Sequence, residues 1–500
     1  MNDDLFLAVD VGTGSVRAAL IDTAGRILAV VAREHEQIVP RFGWSDQRPE
    51  DWWTGVAAAI RQVLQDVDGA VHRVTAVAAC GQMHGTVLVD DKGRLVRETA
   101  PLWNDKRTVE YVLKFERAHP PSSYLRNCAN PAAPAWPGFK LQWLRDNDRK
   151  AWDRTAAVIM PKDYINLKLT GEIAMDRTDG GASFLMDPES GEWSARMADL
   201  LGLDRTKLAP LRNPTEILGR VTDEAARKTG LSAGTPVLVG GADYPVALLG
   251  SGVCQPGVGS EVMGTSAIIT AIAQKPLLDP SVCNVGTIEG NWGAFMLLES
   301  GGDAMRWARR VFHEKQASYE EIVATAGKAP AGSDRLFFMP YLTGERLGEH
   351  RNARAQYFGI GAAHGLAHMH RAVLEGVAFA TKRHINILDA ISGEPLKRIV
   401  ASGGGARTEL WMKIKASVYD LPILVPREPE CGLIGCAIMA AVATGHHASV
   451  GKAAEAYVRY DREVRPVQEW VEIYRPMQAF FEKLYHHSQS LYDDLDRLPQ

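Results

Sequence analysis

Two short segments, far apart in the chain, carry the same pattern. Asp10-Val11-Gly12-Thr13-Gly14-Ser15 lies between two apolar, β-favouring stretches, Leu5 to Val11 and Val16 to Asp22. Glu261-Val262-Met263-Gly264-Thr265-Ser266 does the same at the head of the second half. In each, a strand runs into a Gly-Thr turn and a second strand returns. A strand–turn–strand unit repeated in this way predicts two related lobes facing each other. Taken alone, the repeat fits two unrelated hairpins equally well, because such turns are common. The length of 500 residues exceeds what one hydrophobic core usually serves, and it puts the default site in a crevice between domains.

Other segments extend the α/β reading. Ile27 to Arg33 completes an opening meander, and a helix follows from Pro49 with Trp53, Val56, Ala57, Ile60, Val63 and Leu64 at helical spacing. Val74 to Ala79 is an apolar strand ending at Cys80-Gly81-Gln82-Met83-His84, and Pro236 to Gly241 is another that ends just before Asp243. In open α/β sheets, ligands collect at such strand ends. The Gly-rich stretch from Ala247 to Gly259 marks the boundary between halves, with a long helix near His368 to Ala390 and another carrying Met477, Phe480, Phe481 and Leu484 beyond it.

Composition excludes several classes. Lysine plus arginine (56) nearly balance aspartate plus glutamate (60), for a net charge of −4. A dedicated nucleic-acid binder normally shows a basic excess. The acidic start and the absence of a long apolar stretch predict neither a signal peptide nor a membrane span. The six cysteines, Cys80, Cys128, Cys254, Cys283, Cys431 and Cys436, form no CxxC pair, and they read as reduced thiols of a cytoplasmic protein.

Several familiar signatures are missing. Neither Gly-Lys pair has Walker A spacing, Gly12-x-Gly14 lacks the third glycine of a dinucleotide fingerprint, and no HExxH occurs. Gly230-Leu231-Ser232-Ala233-Gly234 matches a nucleophile elbow but sits in a helix–turn–strand order, so Ser232 reads as a turn residue. The two hairpin turns suit phosphate instead, since glycines admit an anion to the backbone and N–H groups and hydroxyls supply donors. Asp10, where the first strand ends, could hold Mg²⁺ through water or simply cap its own turn. Gly403-Gly404-Gly405-Ala406 at a strand-to-helix junction leaves room for a nucleotide, or makes a tight turn; Gly301-Gly302 is a weaker case. Asp243, at a strand end in the inter-lobe region, is either a general base for a hydroxyl or a helix cap. His84 reads as a ligand contact or a satisfied core histidine. Trp103-Asn104-Asp105-x-Arg107 reads as a stacking surface with polar groups or a structural ion pair.

Taken in order, these stretches resemble the FGGY family of carbohydrate kinases, and its xylulokinase branch in particular, from Leu5 to about Thr444. The resemblance rests on Asp10-x-Gly12-Thr13, Gly81-Gln82-Met83-His84-Gly85, Leu102-Trp103-Asn104-Asp105, Pro161-Lys162-Asp163-Tyr164 and Gly240-Gly241-x-Asp243. It continues through Gly264-Thr265-Ser266, Pro340-Tyr341-Leu342-x-Gly344-Glu345-Arg346, Arg371 to Gly376 and Gly403 to Arg407. It implies an actin-like (ribonuclease H-like) ATPase fold of two α/β lobes, residues 1–246 and 247–500. Each lobe would be a mixed five-stranded sheet with flanking helices, with the cleft between them. It implies Asp243 as catalytic base, and Met83, His84, Trp103, Asp243 and Tyr244 around the sugar. Gly12, Thr13, Gly14, Ser15, Arg17, Gly264, Thr265, Gly302, Arg306, Gly404, Gly405 and Ala406 would surround the nucleotide, with Asp10 and Asp243 at Mg²⁺.

The partners implied are ATP and a small sugar, without nucleic acid or membrane, and a homodimer is an expected assembly. The implied reaction is phosphorylation of a terminal ketose hydroxyl, D-xylulose first, with ribulose, tetruloses and polyols as alternatives. An actin-like ATPase serving as a protein-binding switch is the alternative from another class. Two departures stand out: Tyr244-Pro245 where xylulokinases carry Asn after the Asp, and Leu347-Gly348 in place of Thr-Pro after Glu345-Arg346.

Overall fold

The computed structural model describes residues 4–347 and 350–499. Gly348, one of the two departures in the 345–348 loop, lies outside the described residues.

The first sheet is built from β1 (Leu5–Val11), β2 (Ser15–Asp22), β3 (Ile27–Glu34), β4 (Val74–Gly81), β5 (Ile217–Arg220), β6 (Pro236–Leu238) and β7 (Gly241–Ala242). Its order is β5-β6-β4-β1-β2-β3, with β7 also paired to β4. The second sheet comprises β8 (Val258–Met263), β9 (Ala267–Ala273), β10 (Cys283–Gly286), β11 (Trp292–Leu298), β12 (Arg398–Gly403), β13 (Ile423–Pro426) and β14 (Tyr460–Val464), in the order β10-β11-β9-β8-β12-β13-β14.

The repeated hairpins therefore head the same topology twice. β1, β2 and β3 form an antiparallel meander, β4 runs parallel to β1, and β6 parallel to β4. β8, β9 and β11 repeat the meander, with β12 parallel to β8 and β13 parallel to β12. Each sheet thus contains the expected mixed core of five strands. Additional pairing takes each to seven: β5 and the short β7 in the first, β10 and β14 in the second. Antiparallel neighbours at the rim satisfy edge groups that would otherwise face solvent.

The helices that matter for the site are α1 (Pro49–Gln65), α2 (Pro161–Thr170), α3 (Arg177–Gly181), α4 (Asp243–Gly250), α5 (Gly302–His313), α6 (Leu366–Ser392), α7 (Glu409–Tyr419), α8 (Cys431–Ala443) and α9 (Gln468–Asp496). Strand β1 is apolar on both faces, and alternate residues enter different cores. Leu5, Leu7, Val9 and Val11 pack with α1 and α2, whereas Phe6 and Ala8 pack with Leu433, Ile434 and Ala437 of α8. α8 belongs to the second half of the sequence, so each lobe helps to cover the other. Reciprocally, Leu248 of α4 packs with Val258, Ile272 and Val400 of the second sheet. α4 and α8 thus lie between the sheets, and the expected division at 246/247 falls within α4. α6, α7 and α9 cover the far face of the second sheet. In α9, Met477 and Phe481 are buried, but Phe480 is half-exposed beside Phe358. The Ser232 segment is the turn expected of it, its hydroxyl donating to the Val71 carbonyl.

Candidate active site

Asp243 owes its place to a broken strand. β6 and β7 both pair with β4, but Gly240 between them has φ +73°, and a Cβ there would stand 2.0 Å from the Ala79 carbonyl oxygen. Only glycine permits this close left-handed step. The chain then makes the two pairs of β7 and enters α4 at Asp243. The strand ends of β1, β4 and β7 converge here, at the carboxyl edge of the sheet.

Two carboxylates face one another. Burial, and then the neighbouring Asp10, push the Asp243 carboxyl up to about 7, against backbone donors at Tyr244, Asp243 and Met83. Asp10 is raised in turn, chiefly by burial, while Arg17 and the Cys80 thiol pull the other way. The Cys80 Sγ lies 3.6 Å from Asp10 Oδ1, and Arg17 lies 3.9 Å from Oδ2. Arg17, expected at phosphate, is held at 2.6 Å by Glu430, just before α8. Asp243 accepts from the Tyr244 N–H at 2.7 Å, but it is the first residue of α4, and the cap position, Ala242, has no side-chain cap bond, so the helix-cap reading does not hold.

His84 stands in the left-handed region, φ +65°. Its carbonyl accepts from the buried Lys140 ammonium at 2.7 Å, and its Nδ1 lies 3.0 Å from the Ala182 carbonyl. Burial, with Lys140 adding to it, brings the imidazole down to about 3, so the ring is neutral near pH 7. A neutral ring beside a carbonyl must donate from Nδ1, which leaves Nε2 as an acceptor. Burial also brings Lys140 down to about 7. Trp103 is 43% exposed and donates from Nε1 to Thr13 Oγ1 at 3.0 Å, and Thr13 in turn donates to Gln82 Oε1 at 3.2 Å. Trp103 and the first hairpin are therefore one hydrogen-bonded unit, with the Thr13 hydroxyl engaged on both sides. In the adjoining motif the structural reading holds: Arg107 is buried, pairs with Asp46 and Asp105 at 2.7 and 2.8 Å, and stacks over Trp44.

The glycines sort into two kinds. At Gly14, Gly264 and Gly404 nothing stands within 4 Å of where a side chain would begin, which leaves bare backbone for an anion or a nucleotide. Gly302 and Gly405 are packed: a Cβ would meet the Gly264 carbonyl oxygen at 2.2 Å and the Met263 side chain at 2.9 Å. They are small because the chain crosses itself there. The Gly302 and Asp303 amides bond the Gly264 and Thr265 carbonyls, and Arg306 reaches Thr265 Oγ1 at 3.3 Å, so α5 is latched onto the second hairpin. Gly12 closes the first hairpin by donating to the Ser15 carbonyl, and Ala406, in the Gly404–Arg407 turn, is buried. Among the described residues no cage of three or more metal-ligating side chains is present. Mg²⁺ asks for less, namely one or two carboxylates completed by phosphate oxygens and water, and Asp10 with Asp243 fits that.

The Tyr244 hydroxyl is hydrogen-bonded to Thr270 of β9, and its ring meets Phe295 of β11 edge-on at 6.0 Å.

The FGGY N-terminal domain of carbohydrate kinases matches residues 5–250, and the FGGY C-terminal domain matches residues 259–444. The chain belongs to the FGGY family of carbohydrate kinases. It is 27% identical to a xylulose kinase of Staphylococcus epidermidis over 99% of both chains. A xylulose kinase structure from Rhodospirillum rubrum superposes with a TM-score of 0.91 at 27% identity, over 97% of this chain and 99% of that one. An autoinducer-2 kinase of Yersinia enterocolitica is 28% identical over 98% of this chain and 96% of that one. The protein is thus a two-lobed phosphotransferase of the FGGY type, and kinases of this family take ATP as phosphate donor. Among the described residues no helix is long and apolar enough to cross a membrane.

A buried polar cluster beneath Asp243 went unread in the sequence. Thr178 of α3 accepts the Ala242 N–H at 2.9 Å and donates to Asp176. Asp176 pairs with Lys162 of α2 at 2.8 Å, and Lys162 also bonds Asp163. Burial works against the Lys162 charge, but Asp163, Asp176 and Asp179 hold it above its ordinary value. The available signal was the adjacent charged pair Lys162-Asp163 followed by Asp176 and Asp179, with apolar residues flanking both segments. Lys140, between Phe139 and Leu141, carried the same signal.

Proposed function

We propose that this kinase transfers the γ-phosphoryl of ATP to the terminal hydroxyl of a small ketose, with D-xylulose to D-xylulose 5-phosphate the leading case. The observation that carries the reading is a half-buried carboxylate, Asp243, placed at the strand ends near the first hairpin. Asp243 accepts the hydroxyl proton as the new O–P bond forms and ADP leaves. The neutral His84 orients sugar hydroxyls through Nε2, and Trp103 with Met83 supplies the apolar wall. The Gly12 and Gly264 amides close their own turns, so the turn backbone of Thr13, Gly14 and Thr265 holds phosphate oxygens, with Gly404 beside the nucleotide. Asp10 and Asp243 hold Mg²⁺, which neutralises charge on the transferring phosphoryl when bound.

We assign the first lobe to residues 1–246 and the second to 247–500, and the site of action to the cytoplasm. A coupled ADP-release screen against pentuloses, tetruloses, hexuloses and polyols tests the function. The expected result is turnover that requires sugar and is fastest with xylulose. ATP hydrolysis indifferent to every sugar would favour the protein-binding switch, and a fastest rate with a non-ketose would move the substrate.

Asp243 also makes a prediction for the ligand-free protein. Its folded carboxyl titrates near 7, whereas an unfolded aspartate titrates at about 3.9. Between these values the folded state holds a proton that the unfolded chain has released, so stability falls as pH rises through that window. Asp243→Asn removes this loss. Thermal melts at pH 5 and pH 8 should show the variant gaining on the parent at pH 8, and an equal difference at both would contradict the buried site.

A further inference from the structure

We propose that Tyr244 is a positioning residue: its hydroxyl bond to Thr270 fixes Asp243 relative to the lobe that carries the second hairpin. This rests on the reading of Asp243 as the base. Ser260, Thr270 and Phe295 stand directly opposite one another on β8, β9 and β11, so their side chains share one face of the second sheet. The Tyr244 ring enters this cradle edge-on to Phe295, and its hydroxyl bonds Thr270 with Ser260 as a second partner. Thr270 and Ser260 are buried, so the phenol is the group that satisfies them. β8 and β9 are the two strands closed by Gly264-Thr265-Ser266. On the other side, the Ala242 N–H is tied to Thr178 of the first lobe at 2.9 Å.

Asp243 thus sits between two tethers, one to each lobe, with a single peptide bond separating it from either. Any change in the angle between lobes is transmitted to its carboxylate. An amide at 244 is too short to span to the second sheet. The phenol therefore trades a contact with the sugar side for a rigid link across the cleft. Small misplacements of a reacting group are costly in rate and leave substrate affinity little altered.

The test is a double-mutant cycle on sugar-dependent ADP release. Tyr244→Phe and Thr270→Val should each lower kcat by about 10-fold while KM for the sugar stays within about 2-fold. The double variant should be no worse than either single one, and Thr270→Ser, which keeps the hydroxyl, should retain near-parental kcat. The preference ratio among ketoses should not change. Melting curves on each variant confirm that the folded protein is being assayed. Parental kcat in Tyr244→Phe, additive losses in the cycle, or a shift in KM and sugar preference instead of kcat would overturn the proposal. Asp243→Ala is run alongside. If it kept its rate, the base assignment would fall and this proposal with it; if it lost activity while Tyr244→Phe did not, only the tether would be wrong.

Discussion

Replacing Asp243 with alanine should lower kcat for sugar-dependent ADP release by about 10²–10⁴-fold, the usual range for loss of a positioned general base. ATP binding should persist, because the open backbone at Gly14, Gly264 and Gly404 does not depend on that side chain. The size of the effect follows from placement. Asp243 stands in the shared space between the sheets, where burial and Asp10 keep its carboxyl close to neutrality. A base poised near the working pH combines a useful deprotonated fraction with enough basicity to take the hydroxyl proton. Asp243→Asn keeps the shape and loses the base, so it should be nearly as slow. Near-parental turnover in either variant, measured with nucleotide affinity in hand, would remove Asp243 from the chemistry.

The second large effect concerns stability. Lys162 is fully buried among Asp163, Asp176 and Asp179 and is the cation that neutralises them. Burial pushes Asp179 well above the usual carboxylate range, whereas the three aspartates together hold Lys162 above its ordinary value. Lys162→Met leaves buried carboxylates without their counter-charge and should cost about 3–5 kcal/mol, as when one partner of a buried pair is removed. Denaturant unfolding of the ligand-free protein reads this directly. A loss under about 1 kcal/mol, the range of exposed pairs, would show that the cluster is not ionic. The same cluster holds Thr178 against Ala242, so turnover should fall as well, through Asp243.

Much of the fold was legible because its signals are local. Strand, turn and helix patterns in β1, β2, α1 and α6 depend on neighbours in sequence, and apolar periodicity reports which face is covered. The two hairpins and their place at the head of each half were equally readable, since Gly-Thr turns between apolar strands need no distant partner. The broken strand before Asp243 left a partial trace in Gly240-Gly241. Glycine type alone did not separate the open Gly404 from the packed Gly405, because what stands opposite Gly405 is Met263, on another strand.

Residue patterns along the chain, taken with the family resemblance they carry, specify two α/β lobes each headed by a Gly-Thr hairpin, with Asp243 in the inter-lobe region. How that aspartate is held depends on contacts made only in the folded molecule. Tyr244 turns to Thr270, Arg17 pairs with Glu430, Trp103 spends its N–H on Thr13, and Lys162 gathers carboxylates from elsewhere in the first lobe. Each of these joins residues apart in sequence, and for Tyr244 with Thr270 and Lys162 with Asp176 the choice is made by burial: a polar group taken out of water must find a partner wherever the packing of the sheets and helices provides one. Spacing along the chain carries no record of that choice.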